Sequence, residues 1–226
     1  MSLFKMQHID FTKEPLFFGT GRNIARLDLS IEEWITKATD RLQGKLWFPS
    51  DFDLSQASVD YATMRDELKA LYLKNLEFQQ EVDSLATRSV VEMFLPITTN
   101  PQMERFWVLH GFTESIHSLA YADIVKALPI NAEKEFDTIM VNDNIQRRAR
   151  MIIEVFEELY QQNAMMIAGH PGYNIEKHKE SFVLALYGLN ILENILFDTS
   201  FNTSFAFAKN GMMDGPAKII AKINAD

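Results

Sequence analysis

Apolar residues recur at helical spacing through most of the chain. The stretch from about Met64 to Arg88 carries Leu68, Leu71, Leu73 and Leu76 and predicts one long helix with Asp83 near its end. Asn100-Pro101 has the form of an N-cap followed by proline at the first helical position, opening a helix that runs to about Lys126. A third long helix is predicted from Asn142 to about Met166, closed by the break Ala168-Gly-His-Pro-Gly-Tyr173. A fourth runs from Glu176 to about Phe207. Shorter helices are expected after Ser30-Ile-Glu-Glu33, which fits a capping box and leads toward Leu42, and after Asp214-Gly-Pro216. Residues 1–30 predict an irregular arm, because Glu14-Pro-Leu-Phe-Phe-Gly-Thr-Gly-Arg22 is too punctuated for a helix. No internal repeat has a fixed period. The expected class is all-α, with helices long enough for a bundle.

Composition narrows the picture. With only 7 Pro and 9 Gly in 226 residues, and no linker, the chain is expected to form one domain or one large piece of one. A net charge of −9 without a basic cluster argues against a nucleic-acid surface. The absence of cysteine excludes thiolate ligands, disulfides and a cysteine nucleophile, and fits a reducing cytoplasm. No apolar run follows the lysine of Met-Ser-Leu-Phe-Lys, so a signal peptide is not expected. Nor does any stretch read as the ~18 consecutive apolar residues of a membrane span. The expectation is a soluble cytoplasmic protein.

The chemistry lies in carboxylates set among apolar helices. Glu114, His117 and Tyr121 stand at i, i+3 and i+7 and share one helix face. A carboxylate and an imidazole one turn apart can hold one metal ion, with an oxidisable phenol about 6 Å further along the axis. Glu-x-x-His also occurs by chance as a solvated or paired couple. Here its neighbours Phe106, Trp107, Val108, Leu109, Phe112, Ile116 and Leu119 imply burial, and a buried charge needs a partner. Asp83 is either a ligand or a helix-end charge. Glu193, inside Leu189-Asn-Ile-Leu-Glu-Asn-Ile-Leu196, is either a ligand or half of a buried ion pair. Four-helix di-metal carboxylate proteins take one carboxylate from each of two helices and Glu-x-x-His from each of two others. Asp83, then Glu114 with His117, then Glu193 supply that set except for one Glu-x-x-His.

At this point the sequence resembles the radical-generating small subunit of class I ribonucleotide reductase, of the bacterial and phage type, along almost its whole length. Glu14-Pro-Leu-Phe-Phe-Gly-Thr-Gly is similar to the family's N-terminal arm, and Leu46-Trp-Phe-Pro49 to its tryptophan segment. Thr113-Glu-Ser-Ile-His-Ser-Leu-Ala-Tyr121 resembles the ligand-and-radical helix. Ser204-Phe-Ala-Phe-Ala208 and Gly215-Pro-Ala-Lys-Ile-Ile220 resemble the segment before the last ligand helix. The resemblance implies a ferritin-like bundle in which Asp83 and His117 bind one iron, Glu114 bridges, and Glu193 belongs to the second. It implies a radical on Tyr121 within an apolar pocket that includes Phe197, Phe201 and Ile223, residues that otherwise read as ordinary core. Trp47 and Asp226 match the residues that link the ligand histidine to the electron-transfer route toward the large subunit. His110 replaces the family's Trp or Gln and is expected to hydrogen-bond the carboxylate matched by Glu193, or else to bind metal. His8, His170 and His178 lie in loop-like or helix-start sequence and call for no functional explanation.

In the family the residue after Asp226 would be the missing glutamate, with its histidine three residues later. Two of six ligands are therefore expected on a separate C-terminal chain, together with the remaining helices and the docking tail. On that expectation this chain is inactive alone and works as half of a split subunit, dimeric once assembled, holding two iron ions or manganese or a mixed pair. Helices ending in Phe197, Phe201, Phe205 and Phe207 are expected to expose apolar surface that the partner covers. Two other readings stay open: a non-catalytic remnant or helix-binding scaffold, and a ferritin-like di-metal oxidase or metal store outside nucleotide metabolism.

Overall fold

The computed structural model describes residues 4–29, 31–139 and 143–226. Ser30 and Asn142, the expected starts of two helices, lie outside the described residues. Within them, regular structure is helical apart from one isolated bridge between Phe17 and Thr98. The helices are α1 (Glu33–Gly44), α2 (Ser55–Thr63), α3 (Asp66–Ser89), α4 (Pro101–Lys126), α5 (Ala132–Ile139), α6 (Asp143–Ala168), α7 (Ile175–Ile191), α8 (Asp198–Lys209) and α9 (Asp214–Ile223). Two π-helical segments, Val90–Phe94 and Leu192–Phe197, follow α3 and α7 without a break.

Two compact units divide the chain. The first gathers residues 1–46, 86–113 and 154–186. Its arm is irregular as expected, yet tied down: Phe18 N donates to Ile97 O at 2.9 Å and Thr99 N to Leu16 O at 2.9 Å. These bonds lay Phe17 and Phe18 against Phe182, with ring centroids 4.6 and 5.7 Å away. Phe94 stacks on Trp107 at 4.8 Å in the same core. At the start of α4 the Asn100 side chain accepts from the backbone of Gln102 and Met103 at 2.9 and 3.0 Å. That is the cap its sequence predicts, and it satisfies two N–H groups that a helix start otherwise leaves free.

The second unit gathers residues 47–85, 114–153 and 187–226 and contains all the expected ligands. Asn75 on α3 joins Ser200 and Ser204 on α8 at 3.1 and 3.2 Å, and Tyr72 meets Phe207 edge-on at 5.0 Å. Helix α9 starts at Met213, whose left-handed backbone (φ +61°) brings its N–H to Asp60 Oδ2 at 2.7 Å. Gly215 follows because a Cβ there would collide with the Asp53 carbonyl oxygen.

Helix α4 is largely buried, as expected, though Val108, Phe112 and Leu119 are 54, 46 and 48% exposed. These three stand at i, i+4 and i+11 and form one apolar stripe. Conversely, Phe197, Phe201 and Phe207 do not face water; packing within the described residues buries them. Finally, the run Ile175–Lys209 is long and apolar enough to cross a membrane by length and composition, with a mean hydropathy of 1.3 over its best 18-residue window. Glu176, Lys177, Lys179 and Glu180 occupy its first turns and Glu193 its middle.

Candidate metal centre

Three separate stretches of the second unit carry the candidate ligands: Asp83 on α3, Glu114 and His117 on α4, and Glu193 in the π-helical segment Leu192–Phe197. Asp83, Glu114 and His117 are all buried, and each offers a ligand atom within 4.8 Å of the others. His117 Nδ1 lies 3.2 Å from Glu114 Oε2 and 4.0 Å from Asp83 Oδ1. Its other nitrogen, Nε2, lies 3.2 Å from Asp226 Oδ2, and the same oxygen accepts the Trp47 indole N–H at 2.8 Å. The Trp47 and His117 rings stack, 6.1 Å apart and 20° from parallel. Asp226 reaches this position through a final turn after α9, in which Asp226 N bonds Ile223 O at 3.3 Å.

These contacts determine how the imidazole is used. With Nε2–H donating to Asp226, a neutral His117 points the Nδ1 lone pair at Glu114 and Asp83. Lone pairs of one imidazole and two carboxylates then converge in a buried space, which is unfavourable unless a cation or protons sit among them. The titration behaviour has the same cause. Burial first, then repulsion from Glu114, pushes Asp83 well above the usual carboxylate range. Burial also lifts Glu193 to about 8, helped by Glu114 and opposed by His117. For His117 burial is the largest influence and acts downward. The carboxylates of Glu114, Asp226 and Asp83 together overcome it and raise the imidazole well above its ordinary value. Burial, followed by the Asp83 charge, keeps the Tyr121 phenol well above 10.

A metal ion fits this donor set. Carboxylates with one imidazole suit iron and manganese. The Asp226 carboxylate orients the imidazole in the manner of known metal–histidine–carboxylate arrangements. Glu193 supplies a further indication, since its buried Oε1 has no hydrogen-bond partner among the described residues.

The remaining expected residues are placed as follows. Tyr121 is 0% exposed, one turn beyond His117 on α4. Phe197 and Phe201 are buried and stack on one another at 5.4 Å, and Ile223 is buried on α9. His110 belongs to the first unit, where it stacks on Trp107 at 5.8 Å and meets Phe106 edge-on.

Sequence reasoning missed two features. One is the π-helical geometry around Glu193, for which the only hint was a carboxylate interrupting an apolar run. The other is His178, which stands in the first turn of α7 and is fully buried. It lies 3.0 Å from the Tyr173 hydroxyl and 2.9 Å from Asn163 Oδ1.

Comparison with known proteins places this geometry. The family model described as ribonucleotide reductase, small chain, matches residues 30–226. The chain belongs to the ribonucleotide reductase small-chain family. The ribonucleoside-diphosphate reductase subunit beta of Haemophilus influenzae is 32% identical over 233 residues, covering 99% of this chain and 62% of that protein. The protein of the same description from enterobacteria phage T4 is 26% identical, covering 100% of this chain and 63% of its own length. The chain thus spans about three fifths of the curated relatives it matches. Among solved structures, a ribonucleotide reductase R2 subunit from Clostridium botulinum superposes with a TM-score of 0.83 at 19% identity, over 100% of this chain and 67% of that one. An R2-like ligand-binding oxidase with a Mn/Fe cofactor superposes at 0.68 and 19% identity, over 91% of this chain and 69% of its own. Both likenesses establish the fold, which is the ferritin-like helical one expected from the sequence.

Proposed function

We propose that this chain contributes to a radical-generating subunit that serves ribonucleotide reduction. The observation that carries the reading is the buried triad Asp83, Glu114 and His117, joined through Asp226 to Trp47. Asp83 and His117 would hold one metal ion, Glu114 would bridge, and Glu193 would serve a second. When bound, two iron ions, two manganese ions or one of each supply the oxidising power drawn from dioxygen.

The residues around the metals have defined tasks. Tyr121 gives up one electron and its phenolic proton, and the Asp83 carboxylate is the buried base beside it. Phe197, Phe201 and Ile223 keep water from the resulting phenoxyl. Trp47, Asp226 and His117 form a continuous contact path by which the oxidising equivalent leaves toward a large catalytic subunit that reduces ribonucleotides.

A complete site of this kind would take a second Glu-x-x-His from polypeptide outside these 226 residues. The 226 residues then form part of one ferritin-like domain. The assembled unit is a cytoplasmic dimer, in a bacterium or a phage-infected host, and this chain is inactive alone. Support comes from the ligand set itself, since Glu193 and a bridging Glu114 are too few to hold a second ion firmly.

Metal content and the electron paramagnetic resonance spectrum test the reading, with the chain alone and after mixing with the complementary C-terminal polypeptide. Little metal alone, then two ions and a tyrosyl signal on mixing, is the expected result. The signal should vanish in Tyr121→Phe while metal loading persists. Tight binding of two ions by this chain alone would sink the split-site reading, and a tyrosyl signal surviving Tyr121→Phe would sink the radical assignment.

A further inference from the structure

The inward face of α3 contains one residue that the metal centre does not explain. Tyr72, Leu76, Gln79, Asp83, Ala86 and Val90 recur at alternating spacings of four and three, and all are 0% exposed. That spacing is the seam of a helix packed against a neighbour. Gln79 occupies the seam position one turn before Asp83. Its carboxamide can donate two hydrogen bonds and accept two. Yet neither Oε1 nor Nε2 has a partner among the described residues. An unsatisfied buried amide carries a desolvation penalty that an apolar side chain of similar volume would avoid.

The level of Gln79 in the bundle says what it meets. Helices α3 and α4 are consecutive, with residues 95–100 between the end of the π segment and the start of α4. So short a helix–helix connection makes them antiparallel neighbours. The contact of Asp83 with His117 at 4.0 Å sets their register. One turn back along α3, from Asp83 to Gln79, and one turn forward along α4, from His117 to Tyr121, are steps in the same direction of about 6 Å each. Gln79 and Tyr121 therefore share a level, and both are completely buried. A phenol and an amide at one level, with the Asp83 carboxylate beside the phenol, would supply the two to four polar partners that a buried water needs.

The geometry points to Gln79 as a positioning residue for Tyr121: one buried water joins its carboxamide to the phenol oxygen and sets the hydrogen bonding of that phenol. This deepens the proposed function, because the hydrogen bonding of a phenol governs how readily it is oxidised and how its proton departs. The structural part of the inference concerns Tyr121 as a phenol and holds with or without a radical.

The test is infrared spectroscopy of the metal-free chain carrying ring-labelled tyrosine. The C–O stretching band that disappears in Tyr121→Phe belongs to Tyr121. In Gln79→Leu, and in Gln79→Met as a second apolar replacement of similar length, that band should shift from its wild-type position while the helical circular dichroism stays unchanged. A band that stays in place in a folded variant overturns the inference. Because neither metal nor radical enters the measurement, a failure to form a tyrosyl radical in the assembled protein would count against the proposed function and not against this contact.

Discussion

At the scale of single residues, two histidines show how burial with different partners produces opposite chemistry. His117 faces carboxylates on both sides, while His178 faces only neutral groups. Asn163 Nδ2 donates to Met93 O at 2.8 Å, so its Oδ1 is left to accept the His178 Nε2–H. The Tyr173 hydroxyl then donates to Nδ1, and no position remains for a second ring proton. Burial accordingly lowers His178 from its ordinary 6.5 to about 4. The sign of the pH effect follows from linkage. Above about pH 6.5 neither folded nor unfolded chain protonates this ring. Between 6.5 and 4 the unfolded chain takes up a proton that the folded chain refuses, so stability falls with pH, by about 3 kcal/mol at most. Urea unfolding across that range should show a steep acid limb, and His178→Gln should flatten it; an equally steep limb in the variant would remove His178 as its cause. For His117 the corresponding experiment is Asp226→Ala, which strands both Nε2 and the Trp47 indole N–H. Chelator competition in the assembled protein should register a loss of roughly 10- to 100-fold in metal affinity. The Glu-x-x-His spacing was legible in the sequence because it is local. The His178 network was not, because its partners lie 15 and 5 residues away on elements whose approach depends on packing.

At the scale of elements, legibility follows the locality of the signal. The α4 start was readable because Asn100 and Pro101 carry it in their own side chains. Helices α2 and α5 were not anticipated; each is under ten residues long, too short for an apolar repeat to stand out from its flanks. The π-helical segments could not be read at all, since an extra residue in a turn leaves the apolar run intact. Such segments often mark functional sites, where the inserted residue redirects the side chains that follow. Glu193 stands in the segment Leu192–Phe197, directly before α8. Deleting Ile195 should restore α-helical winding and rotate Glu193 relative to Phe201 by roughly 100°, one residue's angular step. The expected outcome is unchanged far-ultraviolet dichroism with at least about tenfold weaker metal binding in the assembled protein, the scale of a lost metal-site contact. Full metal affinity would show that the bulge does not aim Glu193. The α9 start makes a companion case in stability. A Cβ on Gly215 would press on the Asp53 carbonyl, so Gly215→Ala should destabilise by about 1–3 kcal/mol, measured by chemical denaturation.

At the scale of the whole molecule, the question is where its uncovered apolar surface lies. Sequence placed that surface on the phenylalanines around residues 197–207, reasoning that a bundle lacking helices must leave them bare. The structure buries Phe197, Phe201 and Phe207 and exposes Val108, Phe112 and Leu119 instead. The reason is physical. Hydrophobic periodicity identifies a face that is apolar, but it does not tell which of two apolar faces the rest of the chain reaches first. Helix α4 is apolar nearly all round, so one side packs Ile116, Ala120 and Ile124 inward and the other presents the stripe. An apolar stripe along one helix is suited to a second helix in the same setting, which fits the dimer in the proposed function. Placing a charge in its middle tests this without touching a ligand. Phe112→Glu should move the protein from dimer toward monomer in sedimentation at fixed concentration, while metal content per chain stays as in the unmodified protein. A sedimentation profile unchanged by that substitution would assign the dimer contact to another face and leave the stripe without a role in assembly.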